Sequence, residues 1–227
     1  MSINVVEKVD DGVAVRNVLV SVSDKSGLER FVPELMRRAP DVTLFSTGGT
    51  HARLAEILGS EAKRHLTAVS AYTGQPETQG GLVKTLDFKI YLGLLTETYN
   101  DPHQADLERT GAVSIDMVVV NLYPFAQTIT KAGVTPEQAR GNIDIGGPCM
   151  IRASAKNFLR VASVVDPSDY DTIVEELRRT GGKTTLATRF RLARKAFAHT
   201  AEYDRTISTY LAEQPFDAVD SCYTKAG

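Results

Sequence analysis

The sequence predicts an α/β fold in which a mainly parallel β-sheet is covered by helices on both faces. Two observations support this prediction. Short runs of Val and Leu without polar alternation recur along the chain, as in strands that are buried on both faces. Segments with helical periodicity and helix-start or helix-stop residues separate these runs, and such strand–helix–strand repetition is typical of α/β proteins.

Apolar runs mark the predicted strands. The run at 116–121 (DMVVVN) is the clearest, and 17–22 (NVLVSV) is predicted to be a second buried strand. A further strand is expected at 42–45 and another at 161–165. The run at 90–95 is weaker, but it is also predicted to be a strand.

Helix signals lie between the strands. Ser26 and Glu29 match the S-x-x-E capping box, which predicts a helix that runs from this point through Arg38. The segment 50–58 (THARLAEIL) is predicted to be a second helix. Both helices directly follow a predicted strand, as the α/β pattern requires.

The C-terminal part, from about Pro167, is predicted to be mostly helical and to pack on the sheet as an extension. Its first helix covers 167–180 and stops at a Gly-Gly pair. A longer helix follows, with one apolar face predicted from Leu186, Phe190, Ala193 and Phe197. Residues 1–213 are expected to form one domain, and 214–227 a C-terminal tail.

Composition excludes several classes of protein. The 227 residues carry 26 basic and 28 acidic side chains, which excludes a strongly basic nucleic-acid-binding protein. Cys149 and Cys222 are far apart and the His residues show no metal-ligand spacing, so no disulfide scaffold or metal is expected. No apolar run approaches the roughly 20 residues that span a bilayer, and the acidic start does not match a targeting peptide. A cytoplasmic protein is therefore expected.

Two strand-to-helix turns are candidate phosphate-binding loops, because ligands of open α/β sheets bind beyond the carboxyl ends of the strands. The turns are 23–27 (SDKSG) and 46–50 (STGGT). Backbone N–H groups in such turns converge on an anion at a helix N-terminus, and Lys25 adds a positive charge. Ordinary helix caps have the same sequence features. Neither a Walker A motif nor GxGxxG is present, so an ATP or dinucleotide site is not expected.

Residues outside these turns are candidates for acid–base chemistry: Lys84, Tyr123, Asp144 and Lys156. Both lysines lie among apolar or small residues, and a desolvated Lys has a lowered pKa. A nearby carboxylate would orient the amine. Each residue also has an ordinary structural explanation, as a snorkelling Lys, an amphipathic wall residue, a helix cap or a solvated Lys. Spacing alone does not assemble them into one site.

Several stretches carry a family resemblance: SVSDKSGL (21–28), STGGT (46–50), VKTL (83–86), VVVNLYPF (118–125), NIDIGGP (142–148) and KAFAHTAEYD (195–204). They closely resemble the IMP cyclohydrolase family, a domain of a bifunctional purine-biosynthesis protein that also carries AICAR transformylase activity on a separate domain. The resemblance runs from about residue 18 to residue 211. It implies a methylglyoxal-synthase-like, three-layer α/β fold and does not extend to the transformylase domain.

The resemblance implies an enzyme that closes the pyrimidine ring of formamidoimidazole carboxamide ribotide (FAICAR), releasing water and giving IMP without metal or organic cofactor. Its partner is then a small-molecule nucleotide. No nucleic acid or membrane partner is expected, and a homodimer is left open. Because an amide is a poor nucleophile, the site needs a base, a donor for the developing oxyanion and an acid for the departing hydroxyl.

Carried over position by position, the resemblance assigns roles to individual residues. Lys156 is implied to be the principal acid–base group and to be held by Asp144. Lys84 is implied to stabilise the oxyanion, and Tyr123 to complete the polar wall. The residues implied to bind the nucleotide are Ser23, Asp24, Lys25, Thr47, Gly48, Gly49, Thr50, Thr85, Val120, Asn121, Ile145 and Gly146.

One segment departs from the family pattern GRVKTLHP followed by KIHGG. Leu82 replaces an Arg, Asp87 and Phe88 replace His-Pro, and Tyr91 replaces a second His. Loss of a guanidinium beside a phosphate would weaken anion binding by about 1.5–3 kcal/mol. The substrate is therefore expected to be FAICAR or a purine-like analogue in a specialised pathway.

Two other functions compete with this interpretation. A nucleotide-binding regulatory module would need Ser23, Lys25 and the glycine turn, but it has no use for Lys84, Asp144 and Lys156 together. A methylglyoxal synthase would share the fold, since fold does not determine function. The NLYPF and NIDIGG segments argue against the synthase.

Overall fold

The structure is a computed structural model that describes residues 5–75 and 84–226. Its strands are β1 (Gly12–Ala14), β2 (Asn17–Val22), β3 (Thr43–Ser46), β4 (Leu66–Ala68), β5 (Met117–Asn121), β6 (Ala162–Val164) and β7 (Lys183–Thr185). A five-stranded sheet has the order β4-β3-β2-β5-β6, and every neighbouring pair in it is parallel. β1 and β7 form a separate antiparallel pair. The predicted parallel α/β fold is confirmed.

Helices cover both faces of the sheet. They are α1 (Leu28–Arg38), α2 (Gly48–Leu58), α3 (Ala62–His65), α4 (Val69–Thr73), α5 (Phe88–Leu95), α6 (Asp101–Thr110), α7 (Phe125–Ile129), α8 (Pro136–Gly141), α9 (Gly146–Lys156), α10 (Tyr170–Thr180), α11 (Leu186–Glu213) and α12 (Phe216–Asp220). None of the helices in the described ranges combines the length and the apolar character that a membrane crossing requires.

The core forms one layer on each side of the sheet, because successive side chains of a strand point to opposite faces. In β2, Val18 and Val20 pack in a cluster with α1, α2 and α10, whereas Leu19 packs in the other cluster with α5 and α9. Burial on both faces explains the continuous apolar run that predicted this strand. The sheet is therefore covered on both faces, and its carboxyl edge carries the predicted loops.

The run at 90–95 is helical, so the predicted strand there is wrong. Asp87 is the N-cap of α5, and its carboxylate accepts a hydrogen bond from the Lys89 N–H at 2.8 Å. Ile90 and Leu94, four residues apart, are buried on one side of this helix. A short apolar run does not distinguish a buried strand from a buried helix. The remaining strand of the sheet is β4, whose short sequence LTA gave no signal.

The helix after β2 starts differently from the prediction. Its N-cap is Gly27, with a φ of 79° and no side-chain cap, and the helix begins at Leu28. The Ser26 hydroxyl instead donates to the Asp24 carboxylate at 2.6 Å. The predicted capping box is therefore wrong, because its hydroxyl is used within the loop.

The long helix α11 is confirmed, but of the four residues of its predicted apolar face only Ala193 is buried. Phe190 and Phe197 are 49% and 40% exposed. The buried side is formed by Arg189, Leu192, Ala193, Ala196 and Thr200. Small residues on this side allow α11 to pack against α9 and β6, so α11 belongs to the core. The segment after residue 213 contains α12, and the Tyr223 phenol donates to Glu137 of α8.

Candidate active site

A cavity of about 370 Å³ opens at the carboxyl edge of the sheet, beyond the ends of β2, β3 and β5. Parallel strands end at the same edge, so loops that are distant in sequence meet there. The predicted site residues that line the cavity are Ser23, Lys25, Thr47, Gly48, Gly49, Thr50, Lys84, Thr85, Val120, Asn121, Tyr123, Asp144, Ile145 and Gly146. The structure thus brings both candidate phosphate loops and three of the four candidate catalytic residues to one cavity.

One end of the cavity is suited to an anion. Thr47 is the N-cap of α2 in an extended conformation and makes no side-chain cap, so the first N–H groups of α2 face the cavity. A Cβ built on Gly48 would lie 3.1 Å from the Lys84 Nζ, and one on Gly49 would lie 3.9 Å from the Lys25 Cε. Two ammonium groups therefore flank a helix N-terminus, which favours a phosphate.

The loops at this end are held by buried polar side chains. The Thr50 hydroxyl accepts from the Val22 N–H at 3.2 Å and donates to the Val22 carbonyl at 3.0 Å, which ties α2 to β2. The Asn121 amide oxygen accepts from the N–H groups of Ser23 and Asp24 at 2.7 and 2.9 Å. Its NH₂ group donates to the Asp24 carbonyl at 2.8 Å. Both side chains are occupied in fixing the loops.

Asp24 is not part of the cavity wall, contrary to its predicted role. Its carboxylate accepts from the Ser26 N–H at 2.9 Å and from the Ser26 hydroxyl. These hydrogen bonds lower the pKa of Asp24. A carboxylate that stays ionised would repel a phosphate, and this one instead shapes the turn that presents Lys25.

Asp144 lies at the other end of the cavity, just before α9. Its carboxylate accepts from the Gly147 N–H at 2.8 Å and from the Tyr123 N–H, and its own N–H donates to the Tyr203 phenol at 2.8 Å. Burial raises the pKa of Asp144, and the two N–H donors to its carboxylate oppose that rise. A half-buried carboxyl group with a raised pKa is suited to exchanging a proton with a ligand.

Sequence reasoning missed part of the wall: Ser21, Val22, Leu86, Gly141, Ile143, Gly147 and Met150. Leu86, Ile143 and Met150 make this part of the wall apolar, as the face of a heterocyclic base requires. Gly147 is required for space, because a Cβ there would lie 2.5 Å from an Asp144 carboxylate oxygen. In the sequence, the second glycine of the NIDIGG stretch is the signal that could have identified Gly147 as part of the wall.

Lys156 is not brought to the cavity. α9 begins at Gly146, beside the cavity, and ends at Lys156, and a helix of 11 residues is about 15 Å long. Lys156 is exposed and does not line the cavity. The predicted pairing of Lys156 with Asp144 is therefore absent, because the intervening residues form a straight helix that leads away from the site.

The positions that depart from the family pattern lie outside the cavity wall wherever the structure describes them. Leu82 is outside the described residues. Asp87 caps α5 and Phe88 is exposed. Tyr91 of α5 packs, partly buried, against the core, and burial raises the pKa of its phenol. Asp87, Phe88 and Tyr91 do not line the cavity. Within residues 5–75 and 84–226, no cluster of three or more His, Cys, Asp or Glu is placed to hold a metal ion.

Gly48→Ala tests the anion end of the cavity. Gly48 has a φ of 50°, which disfavours a side chain, and the new Cβ would press on the Lys84 ammonium. We expect the KM for a nucleotide substrate to rise roughly tenfold, because a charge-assisted hydrogen bond to the phosphate is weakened. Steady-state kinetics measures this change.

Gly59→Ala is the matched control. Gly59 caps the opposite end of α2 with a φ of 54°, and a Cβ there meets nothing within 4 Å. This variant also places a side chain at a positive φ, but without approaching Lys84. An equal rise of KM in both variants would contradict the placement of the phosphate at Gly48.

Family comparisons agree with this geometry. Residues 27–149 match the MGS-like domain family, and residues 154–226 match the family described as AICARFT/IMPCHase bienzyme. The chain is 48% identical over 201 residues to the bifunctional purine biosynthesis protein PurH of Sorangium cellulosum (strain So ce56). That match covers 88% of this chain but 37% of the PurH protein, so the chain spans little more than a third of that relative.

A solved structure is also similar. The crystal structure of ForH superimposes with a TM-score of 0.70 at 30% identity. The superposition covers 86% of this chain and 98% of ForH. The likeness therefore extends over nearly the whole of that protein.

Proposed function

The chain belongs to the family of MGS-like domains, and from its further similarity to the AICARFT/IMPCHase family and to PurH we infer that it is a cyclohydrolase of purine nucleotide biosynthesis, with FAICAR as substrate and IMP as product. One observation carries the proposal. A single cavity combines an anion-binding helix N-terminus, an apolar wall and a half-buried carboxyl group. Its volume of about 370 Å³ is in the usual range for small-molecule sites.

In the proposed complex the phosphate binds at the N-terminus of α2, between Lys25 and Lys84. The imidazole ring packs on the apolar wall formed by Leu86, Ile143 and Met150. The carboxamide and formamido groups then face Asp144. Holding the two arms of one molecule in contact replaces a collision between two separate reactants. This can lower the activation barrier by several kcal/mol.

Ring closure forms one C–N bond and releases one water. The carboxamide nitrogen attacks the formyl carbon, and the formyl oxygen becomes a hydroxyl group. One N–H proton of the carboxamide and one of the formamido nitrogen leave with that oxygen as water. Asp144 accepts a proton from the attacking nitrogen and passes it to the formyl oxygen, which becomes the hydroxyl group. It then accepts the formamido N–H proton and passes it to that hydroxyl, which leaves as water. The Tyr123 phenol completes the polar wall around the developing oxyanion, and Lys84 binds the phosphate rather than the oxyanion, because it lies beside Gly48.

Incubation of the purified protein with FAICAR tests the proposal, with formation of IMP followed by absorbance. We expect turnover without added metal. A second incubation with dihydroxyacetone phosphate should give no methylglyoxal. Binding of IMP by calorimetry without any turnover of FAICAR would instead support the regulatory module.

A second candidate is the same ring closure on a purine-like analogue. The observation that favours it is the altered segment at 82–91, where Leu82 replaces an Arg of the family pattern. Against it, Asp87, Phe88 and Tyr91 lie outside the cavity wall. A higher kcat/KM for an analogue ribotide than for FAICAR, measured in parallel, would favour this second candidate.

A further inference from the structure

We propose that Tyr203 of α11 is a positioning residue for the ring closure, acting through the backbone of Asp144. The inference rests on the proposed function. The Tyr203 hydroxyl accepts a hydrogen bond from the Asp144 N–H at 2.8 Å, although the two residues are 59 positions apart. A side chain from the C-terminal helix thus holds the loop that carries the candidate acid–base group.

Asp144 needs such support because it lies in an irregular segment. α8 ends at Gly141 and α9 begins at Gly146, so no regular ladder of hydrogen bonds fixes the residues between them. The carboxylate is held by the N–H groups of Gly147 and Tyr123. These two donors are backbone groups, whereas the Tyr203 contact is made by a side chain. Tyr203 is therefore the contact that a substitution can remove.

The phenol is itself well anchored. Its ring meets the ring of Phe125 edge to face, with centroids 6.3 Å apart. The helix that carries it is 28 residues long, with a buried side that packs against α9 and β6. The acceptor is thus fixed relative to the sheet. Loss of the hydroxyl would leave the Asp144 N–H without this partner and free the loop to shift.

We expect a freed loop to raise the proton affinity of the carboxyl group. Tyr123, Tyr203 and Asp204 are titratable groups near Asp144, and Lys25 and Lys84 line the same cavity. Burial raises the pKa of Asp144, and the N–H donors hold it down. A looser loop weakens those donors, so the pKa of Asp144 rises further and the acid limb of the kcat profile moves to higher pH.

Tyr203→Phe removes the hydroxyl and keeps the ring, and Tyr210→Phe is the matched control. Tyr210 is on the same helix and meets the same Phe125 ring edge to face, at 5.7 Å. For Tyr203→Phe we expect kcat to fall roughly tenfold while KM for FAICAR stays within about twofold, since one hydrogen bond to the catalytic loop is lost. Tyr210→Phe should leave kcat and the pH profile unchanged.

Two readouts need no turnover. In Tyr203→Phe the Asp144 amide should exchange its hydrogen faster, and a ¹³C NMR titration of the Asp144 carboxyl should show an increased pKa. Equal exchange rates and titrations in the two Phe variants would overturn the positioning role and leave Tyr203 as a packing residue. A wild-type protein that forms no IMP would defeat the proposed function alone, because both NMR readouts remain valid without substrate.

Discussion

Asp144→Asn should lower kcat for FAICAR by roughly 10²- to 10⁴-fold, the range that general acid–base groups contribute. The amide is nearly the same size and keeps an oxygen that can accept from the Gly147 N–H, which the wild-type carboxylate does at 2.8 Å. It cannot take up a proton from the attacking nitrogen. The loss should therefore fall on kcat, with the KM little changed, and steady-state kinetics separates the two.

Asp106→Asn is the control for this substitution. Asp106 is on α6, pairs with Arg109 at the surface and does not line the cavity. The Asp106→Asn substitution should leave kcat unchanged, because a surface ion pair contributes little to stability and this one does not contact the cavity. If Asp144→Asn retained wild-type kcat, the acid–base role of Asp144 would have to be given up.

The pH profile gives an independent check on the same group. Asp144 must be ionised to accept a proton, and burial raises its pKa above that of an ordinary Asp. The contribution of Asp144 is therefore fully present above this raised pKa and is lost as the pH falls through it. The acid limb should lie at higher pH than an exposed Asp would give, and it should disappear from the residual activity of Asp144→Asn.

The fold was predictable wherever burial on both faces of the sheet left a continuous apolar run. The segments 17–22 and 116–121 are such runs, and both are central strands. The run at 90–95 is also apolar but is a helix, because the Asp87 cap and the i, i+4 spacing of its buried residues determine its structure. A local pattern does not reveal which neighbour covers an apolar side chain.

The site was predictable where it follows from the topology of a parallel sheet. Lys25 and Gly48 lie in loops after adjacent strands, so their meeting follows from the strand order. The pairing of Lys156 with Asp144 was implied by the family resemblance and not by spacing, and the structure places Lys156 at the far end of α9, exposed and outside the cavity wall. Tyr203 was missed because its hydrogen bond to the Asp144 N–H depends on how α11 packs, and the sequence alone does not predict that packing.

The largest effect on stability is expected at Arg189, which is fully buried in α11. Its guanidinium donates hydrogen bonds to the backbone carbonyls of Asp10, Asp11, Phe158, Leu159 and Thr184. One side chain thus joins the segment before β1, the loop before β6 and the end of β7 to the long helix. A planar group with five N–H donors suits this arrangement, and Lys would not replace it.

Arg189→Met should lower the free energy of unfolding by about 3–5 kcal/mol, since each buried carbonyl left without a donor costs about 1–3 kcal/mol and some regain water. For a chain of this size that loss corresponds to a fall in Tm of roughly 10 °C. Arg194→Met, an exposed position on the same helix, should change Tm little. Thermal unfolding of both variants measures the difference. If the two variants had the same Tm, water would have to form hydrogen bonds to the five carbonyls that are as favourable as those from the guanidinium. The anchoring of α11, which places Tyr203 on the Asp144 loop, would then depend on its apolar packing alone.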